Sequence, residues 1–175
     1  GFHIIDISNP SAPSIADSYG MEGFAYGLDV EGDYAYIANS DTGFHILDIR
    51  MPSSPKPLGS FKTPGLASAV AVRDKYAYLA DGPSGLQILD VSNPSSPQII
   101  GSLKMDGFAN GIAVEGNFAF LTDETSGVKK IDISNPKAPK LVGTFGTPGE
   151  PASVVIRGEY IILPDAYSLL ILKSN

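Results

Sequence analysis

Cysteine is absent from the 175 residues, which excludes disulfides, thiolate zinc sites and thiol nucleophiles. Histidine occurs only at His3 and His45, so any metal centre would have to be built mainly from other ligands. Basic residues number 12 against 19 acids, a formal charge of -7. That balance repels a phosphate backbone, and no nucleic-acid partner is expected. No apolar run approaches the roughly 20 residues of a membrane-spanning helix, so no insertion into a membrane by such a helix is expected. No segment keeps a 3.6-residue apolar period, so helix content should be close to nil. What is there is a folding composition of the size of one domain. Apolar residues make up 43% and charged residues only 18%, which argues against disorder as the main state.

The chain repeats itself every 42 residues. Asp6, Asp48, Asp90 and Asp132 stand inside FHIIDISNP, FHILDIRMP, LQILDVSNP and VKKIDISNP. Pro10, Pro52, Pro94 and Pro136 keep the same spacing, as do Gly23, Gly65, Gly107 and Gly149. Tyr34, Tyr76, Phe118 and Tyr160 keep it too, followed by Asn39, Asp81, Asp123 and Asp165. Each unit reads as four short strands. In the second unit these are AYGLDVEG, DYAYIANS, GFHILDIR and KPLGSFK. Glycine in Glu31-Gly32-Asp33 and its copies serves a tight turn between strands one and two. The prolines of Ser-Asn-Pro-x-x-Pro remove donors and end strand three. Four antiparallel strands in about 40–45 residues is the blade of a β-propeller. The expected fold class is therefore all-β, a propeller of four-stranded blades with about four blades present.

The segments ILDIRMPSSPKPLGSF, ILDVSNPSSPQIIGSL and KIDISNPKAPKLVGTF resemble the repeats of the LVIVD family, as do YAYIANSDTGFHILDI and YAYLADGPSGLQILDV. The resemblance covers essentially the whole chain. It implies a β-propeller of the cell envelope or extracellular space without an assigned enzymatic activity. The last copy, ILPDAYSLLILKSN, departs from the pattern, with Lys173 where the aspartate stands in the others.

The phase of the repeat sets the blade boundaries. Residues 1–23 form a partial blade opening at strand three, 24–65, 66–107 and 108–149 are full blades, and 150–175 supply strands one to three. Seventeen strands are expected, one more than four blades hold. Three readings account for the surplus: a piece of a longer propeller, a closed four-bladed ring with one redundant strand, or a terminal strand paired with a neighbouring molecule. The apolar runs FHIIDI and LLILK carry no internal proline. Phe2, Ile4 and Ile5, with Leu169, Leu170 and Ile171, are therefore candidate assembly strands, and self-association through them is expected.

The chemistry-bearing residues mostly read as framework. His3 and His45 occupy one repeat position, with Gln87 and Lys129 in the other copies, and have no ligand beside them in sequence. No phosphate loop, dinucleotide fingerprint or nucleophile elbow occurs. Asp6 and its copies suit a bond into the following Asn-Pro turn, and Asn39, Asp81, Asp123 and Asp165 suit bonds to turn N–H groups. What differs between copies is the loop from strand four to strand one. There Tyr26, Ser68, Asn110 and Ala152 are equivalent, preceded by Phe24, Leu66, Phe108 and Glu150. Loops around a propeller's mouth commonly carry its function. Phe24, Tyr26, Ser68, Phe108, Asn110 and Glu150 are accordingly the candidate ligand or partner face. A non-catalytic scaffold or adhesion module binding protein or surface partners is expected, with no cofactor and no metal. The alternatives are a carbohydrate- or small-ligand-binding propeller and a lactonase-like metal-dependent hydrolase, which needs acids or histidines converging on the axis, where strand one supplies only Asp29 and its copies are Ala71, Ala113 and Val155.

Overall fold

The structure is a computed structural model describing residues 1–173. Its regular structure is seventeen strands with no helix among the described residues, arranged in five antiparallel sheets. The first sheet is β1 (Phe2–Asp6) and β2 (Ser14–Tyr19). The second is β3 (Gly27–Glu31), β4 (Tyr34–Asn39), β5 (Gly43–Asp48) and β6 (Lys56–Phe61). The third is β7 (Ala69–Arg73), β8 (Tyr76–Ala80), β9 (Leu86–Asp90) and β10 (Gln98–Leu103). The fourth is β11 (Ala109–Glu115), β12 (Phe118–Asp123), β13 (Gly127–Asp132) and β14 (Lys140–Phe145). The fifth is β15 (Val155–Arg157), β16 (Tyr160–Asp165) and β17 (Ser168–Lys173). The blades and the surplus strand expected from the repeat are thus present. Among the described residues the two terminal sheets share no strand pairing, so they do not form the single shared blade that a closed four-bladed ring needs. Residues 174 and 175 lie outside the described residues.

The turn chemistry accounts for where strands stop. The Oδ1 atoms of Asp6, Asp48, Asp90 and Asp132 accept the N–H two residues on, at 2.8, 3.1, 2.9 and 2.8 Å. Asn9, Asn93 and Asn135 do the same one turn later. These side-chain bonds divert the backbone from the ladder just where the prolines forbid it. Each strand four then carries a bulge against strand three, leaving Ala16, Leu58, Ile100 and Val142 unpaired. A bulge bends and twists its strand, here at the outer edge of each of the first four sheets.

The core lies between the sheets. Four apolar clusters each join one sheet to the next: Phe2 with Ala35 and Ile37, Phe44 and Ile46 with Leu79 and Leu89, Leu86 and Ile88 with Leu121 and Ile131, and Val128 with Ile161 and Leu163. In every middle sheet alternate residues of strand three face the sheet before and the sheet after. Full burial of one such side chain stabilises by about 1.5–3 kcal/mol. Tyr34, Tyr76 and Phe118 pack in equivalent inter-sheet places as expected, but only partly buried. The deeper rings are two residues on, at Tyr36, Tyr78 and Phe120, because that point of the pleat is covered by strands on both sides.

Candidate functional site

Each mouth loop is anchored from the strand-two side. One carboxylate oxygen of Asp81 accepts the Gly65 N–H at 2.9 Å, and Asp165 holds Gly149 in the same way at 2.9 Å. The loop passes so close that a Cβ on Gly65 would lie 2.0 Å from the Asp81 carbonyl oxygen, so only glycine fits there. Asn39 fills the same role with its amide, donating to the Glu22 carbonyl and to Thr42 Oγ1, both at 2.6 Å. Asp123 Oδ1 instead accepts from the backbone and hydroxyls of Thr125 and Ser126. Burial pushes Asp123 up, but those hydrogen bonds outweigh it and its carboxyl sits below the usual range. Burial dominates at Asp81, whose carboxyl is held above the usual range. Its Oδ1 makes no well-formed hydrogen bond among the described residues.

From these anchors the chain enters strand one with its mouth residues fixed. The Tyr26 N–H donates to Ala38 and the Ser68 N–H to Ala80, at 3.0 and 2.8 Å. Asn110 lies within β11 itself. The result is one cavity of about 410 Å³ lined by Tyr26, Ser40, Leu66, Ser68, Phe108, Asn110 and Ala152. No charged residue lines it among the described residues. The Phe108 ring reaches the wall because residue 82 is glycine, at a φ of 52°. A Cβ there would sit 2.9 Å from the ring.

Of the residues singled out from the sequence, Tyr26, Ser68, Phe108 and Asn110 come together. Phe24 and Glu150 stay outside the cavity. Phe24 is exposed and stacks on Tyr26, ring centroids 6.3 Å apart. Ser40 was not anticipated. It belongs to the loop from strand two to strand three, and it is tied to the next sheet by paired backbone bonds with Ala67 at 2.9 and 3.0 Å. Its signal in the sequence is the glycine at the equivalent position 82, since Ser40 too has a positive φ, of 43°. Of the candidate assembly residues, Phe2, Ile4 and Leu170 turn inward onto neighbouring sheets. Ile5, Leu169 and Ile171 are exposed.

Strand-one residues line a second cavity along the central channel, of about 420 Å³. Asp29 stands in it with both carboxylate oxygens engaged, Oδ1 by the Val30 N–H at 2.8 Å and Oδ2 by the Val72 N–H of the next sheet at 2.7 Å. A larger cleft, about 530 Å³, runs between the loop after β2 and β5–β6, and His45 lies in it. His45 Nε2 is paired with Thr42 Oγ1 at 2.9 Å, and burial lowers its pKa. His3 bonds Ser18 through Nδ1 at 2.8 Å. Among the described residues no three His, Asp or Glu side chains come together to hold a metal ion.

Five stacked antiparallel sheets, related by one repeat and surrounding a channel lined by strand one, define a β-propeller architecture. Residues 1–20, 22–63, 64–104 and 106–147 each match the LVIVD repeat, and the chain belongs to the LVIVD repeat family. Similar solved structures include the computationally designed Ika4 protein, 11% identical, with a TM-score of 0.73 over 89% of this chain and 94% of that one. The designed Ika8 protein is 12% identical, with a TM-score of 0.72 over 89% of this chain and 47% of that one. A functionally unknown protein from Desulfotomaculum acetoxidans is 15% identical, with a TM-score of 0.79 over 97% of this chain and 57% of that one. The chain therefore spans about half the length of the last two. At these identities the likeness is one of fold. No curated protein matches the chain.

Proposed function

We propose that this propeller is a non-catalytic binding module of the cell envelope or extracellular space that receives a protein or surface partner in the mouth cavity. One observation carries the proposal. The positions that break the repeat, Tyr26, Ser68, Asn110 and Ala152, converge on a single cavity, while the glycines and acids that frame them repeat. A wall of rings, hydroxyls and an amide without charge suits a neutral ligand surface rather than a phosphate or an ammonium group. The envelope location is supported by the family resemblance and by the acidic, Ser-, Asn-, Gly- and Pro-rich composition.

A carbohydrate ligand is the second reading, favoured by Tyr26 and Phe108 standing beside Ser40, Ser68 and Asn110. The lactonase-like alternative finds less support, since the channel's Asp29 already accepts two backbone hydrogen bonds. The test is to probe the immobilised chain with peptide libraries and glycan arrays, then to repeat each positive with Ser68→Trp, which fills the cavity. Loss of binding with an unchanged melting temperature is expected. Binding that survives the filled cavity, or no binding to either library, sinks the proposal.

A further inference from the structure

The joint between the first and second sheets is not closed out to its edge. Strand four of the second and third sheets carries Gly59 and Gly101, where a Cβ would strike the carbonyl oxygens of Pro94 and Pro136 in the sheet that follows. The equivalent position on β2 is Asp17. Its side chain takes the room that the proline turn fills elsewhere, and Pro52 stays exposed where Pro94 and Pro136 are half-buried. The cleft of about 530 Å³ opens in this joint. Its walls come from β2, β5, β6 and the loops beside them, outer strands that both sheets possess, so the cleft belongs to an internal joint.

On the face of the second sheet turned to the first, His45 stands opposite Ser60 and Leu47 opposite Pro57. Cross-strand partners hold their Cβ atoms about 4.5–5.5 Å apart, so an imidazole and a hydroxyl are neighbours beside an apolar wall. Thr42 fixes the tautomer of the ring. Its hydroxyl donates its one hydrogen to the Asn39 carbonyl at 2.8 Å. Thr42 Oγ1 can then only accept from the ring, so His45 Nε2 carries the hydrogen across 2.9 Å. Burial disfavours a second proton, and Nδ1 keeps a bare lone pair. In the first sheet the equivalent pair closes on itself, His3 Nδ1 bonding Ser18 Oγ at 2.8 Å. In the second, Thr42 holds the ring, and neither His45 Nδ1 nor Ser60 Oγ makes a hydrogen bond among the described residues.

We propose that this cleft binds a neutral small molecule through a carboxamide headgroup, whose N–H donates to His45 Nδ1 and whose carbonyl accepts from Ser60 Oγ. The apolar body of the ligand lies against Leu47, Pro57 and Leu58, which line the same cleft. A carboxylate of the same shape has no hydrogen for Nδ1, and it would also meet the Glu22 carboxylate in the lining. The volume is that of an ordinary small-molecule site, about 300–1,000 Å³. The cleft shares no lining residue with the mouth cavity, and its ligand stands or falls independently of the function proposed for the mouth.

Long-range proton–nitrogen NMR of the 175-residue chain at neutral pH reads both histidines. His45→Gln assigns them, since Gln87 stands at the equivalent position of the third sheet. His45 is expected to show the Nε2–H tautomer. Benzamide titrated to millimolar concentration is expected to shift the His45 Nδ1 resonance saturably and to leave His3 in place, while benzoate moves neither. Ser60→Ala, with an unchanged melting temperature, is expected to weaken benzamide about fivefold, the usual worth of one net hydrogen bond. Ser68→Trp, which fills the mouth cavity instead, is expected to leave the titration as it was. An Nδ1–H tautomer, no shift with benzamide, an equal shift with benzoate or no loss on Ser60→Ala overturns the proposal. So does a shift that Ser68→Trp abolishes, since the probe would then sit at the mouth.

Discussion

Gly101 on β10 lies directly under the carbonyl of Pro136 from the next sheet: a Cβ at residue 101 would come 2.0 Å from that oxygen. The same relationship joins Gly59 to Pro94, at 2.1 Å. The strand-four bulge immediately precedes each of these glycines, so the bent outer edge is the seat on which the following blade's Asn-Pro turn rests. At Gly143 the seat is open, and the nearest atom is the Lys130 Cβ at 3.6 Å.

Gly101→Ala should therefore destabilise the protein by about 1–3 kcal/mol, the usual cost of forcing atoms into a filled contact. Gly143→Ala should fall within about 0.5 kcal/mol of the native chain, or stabilise it slightly by restricting the unfolded state. Urea melts of the two variants, run side by side, check the contrast. Equal losses would mean that the proline turn does not use the glycine as its seat.

Tyr78 is buried between the third and fourth sheets, whereas Tyr76 packs at the margin with Lys75 over its ring. Tyr78→Ala should cost about 3–5 kcal/mol, as for other buried aromatics. Tyr76→Ala should cost about 1–2 kcal/mol, nearer the centre of the distribution for point changes. The ordering in equilibrium denaturation is the decisive result, and a reversal would misplace the joint.

Asp81 gives a pH dependence of known sign. Its folded carboxyl is raised by burial, so the folded state binds more protons than the unfolded one. The stability it contributes is complete below the unfolded value, about 3.9, and is lost as pH rises through the folded value. Asn39 already serves at the equivalent position without a charge. Asp81→Asn should thus gain on the native chain as pH climbs from about 4 towards neutrality, measured as the difference in urea midpoint. Asp48 runs the other way. The Arg50 side chain holds it down at about 2, so its contribution is present above the unfolded value and disappears as pH falls through about 2. A difference between Asp81→Asn and native midpoints that stayed flat with pH would show that Asp81 has an ordinary carboxyl.

Most of the framework was legible because repetition makes spacing visible. One unit's prolines, acids and glycines recur at fixed intervals, and residues equivalent in sequence must be equivalent around the channel. That is why Tyr26, Ser68 and Asn110 could be grouped before their convergence was seen. Phe24 and Glu150 misled because equivalence in the repeat does not fix how a loop side chain turns: their counterparts Leu66 and Phe108 line the cavity, whereas Phe24 stacks on the outside of Tyr26. Ser40 escaped because it comes from a different loop, in which its copies are Gly82, Glu124 and Ala166. The facing of β1 and β17 was not legible either. FHIID and SLLILK are apolar on both sides of the pleat, so alternation cannot tell Ile4 from Ile5 or Leu170 from Leu169. The neighbouring sheet decides it.

The four apolar clusters, each shared by two adjacent sheets and no more, also govern how the molecule comes apart. Cooperativity is passed from neighbour to neighbour rather than held in one common centre. The first and fifth sheets have a neighbour on one side only, and they should open on their own well before the rest. Amide hydrogen exchange would then read as a gradient, fastest in β1–β2 and β15–β17 and slowest in β8, β9 and β12, so that the chain frays from its ends like a stack of plates while its middle still holds.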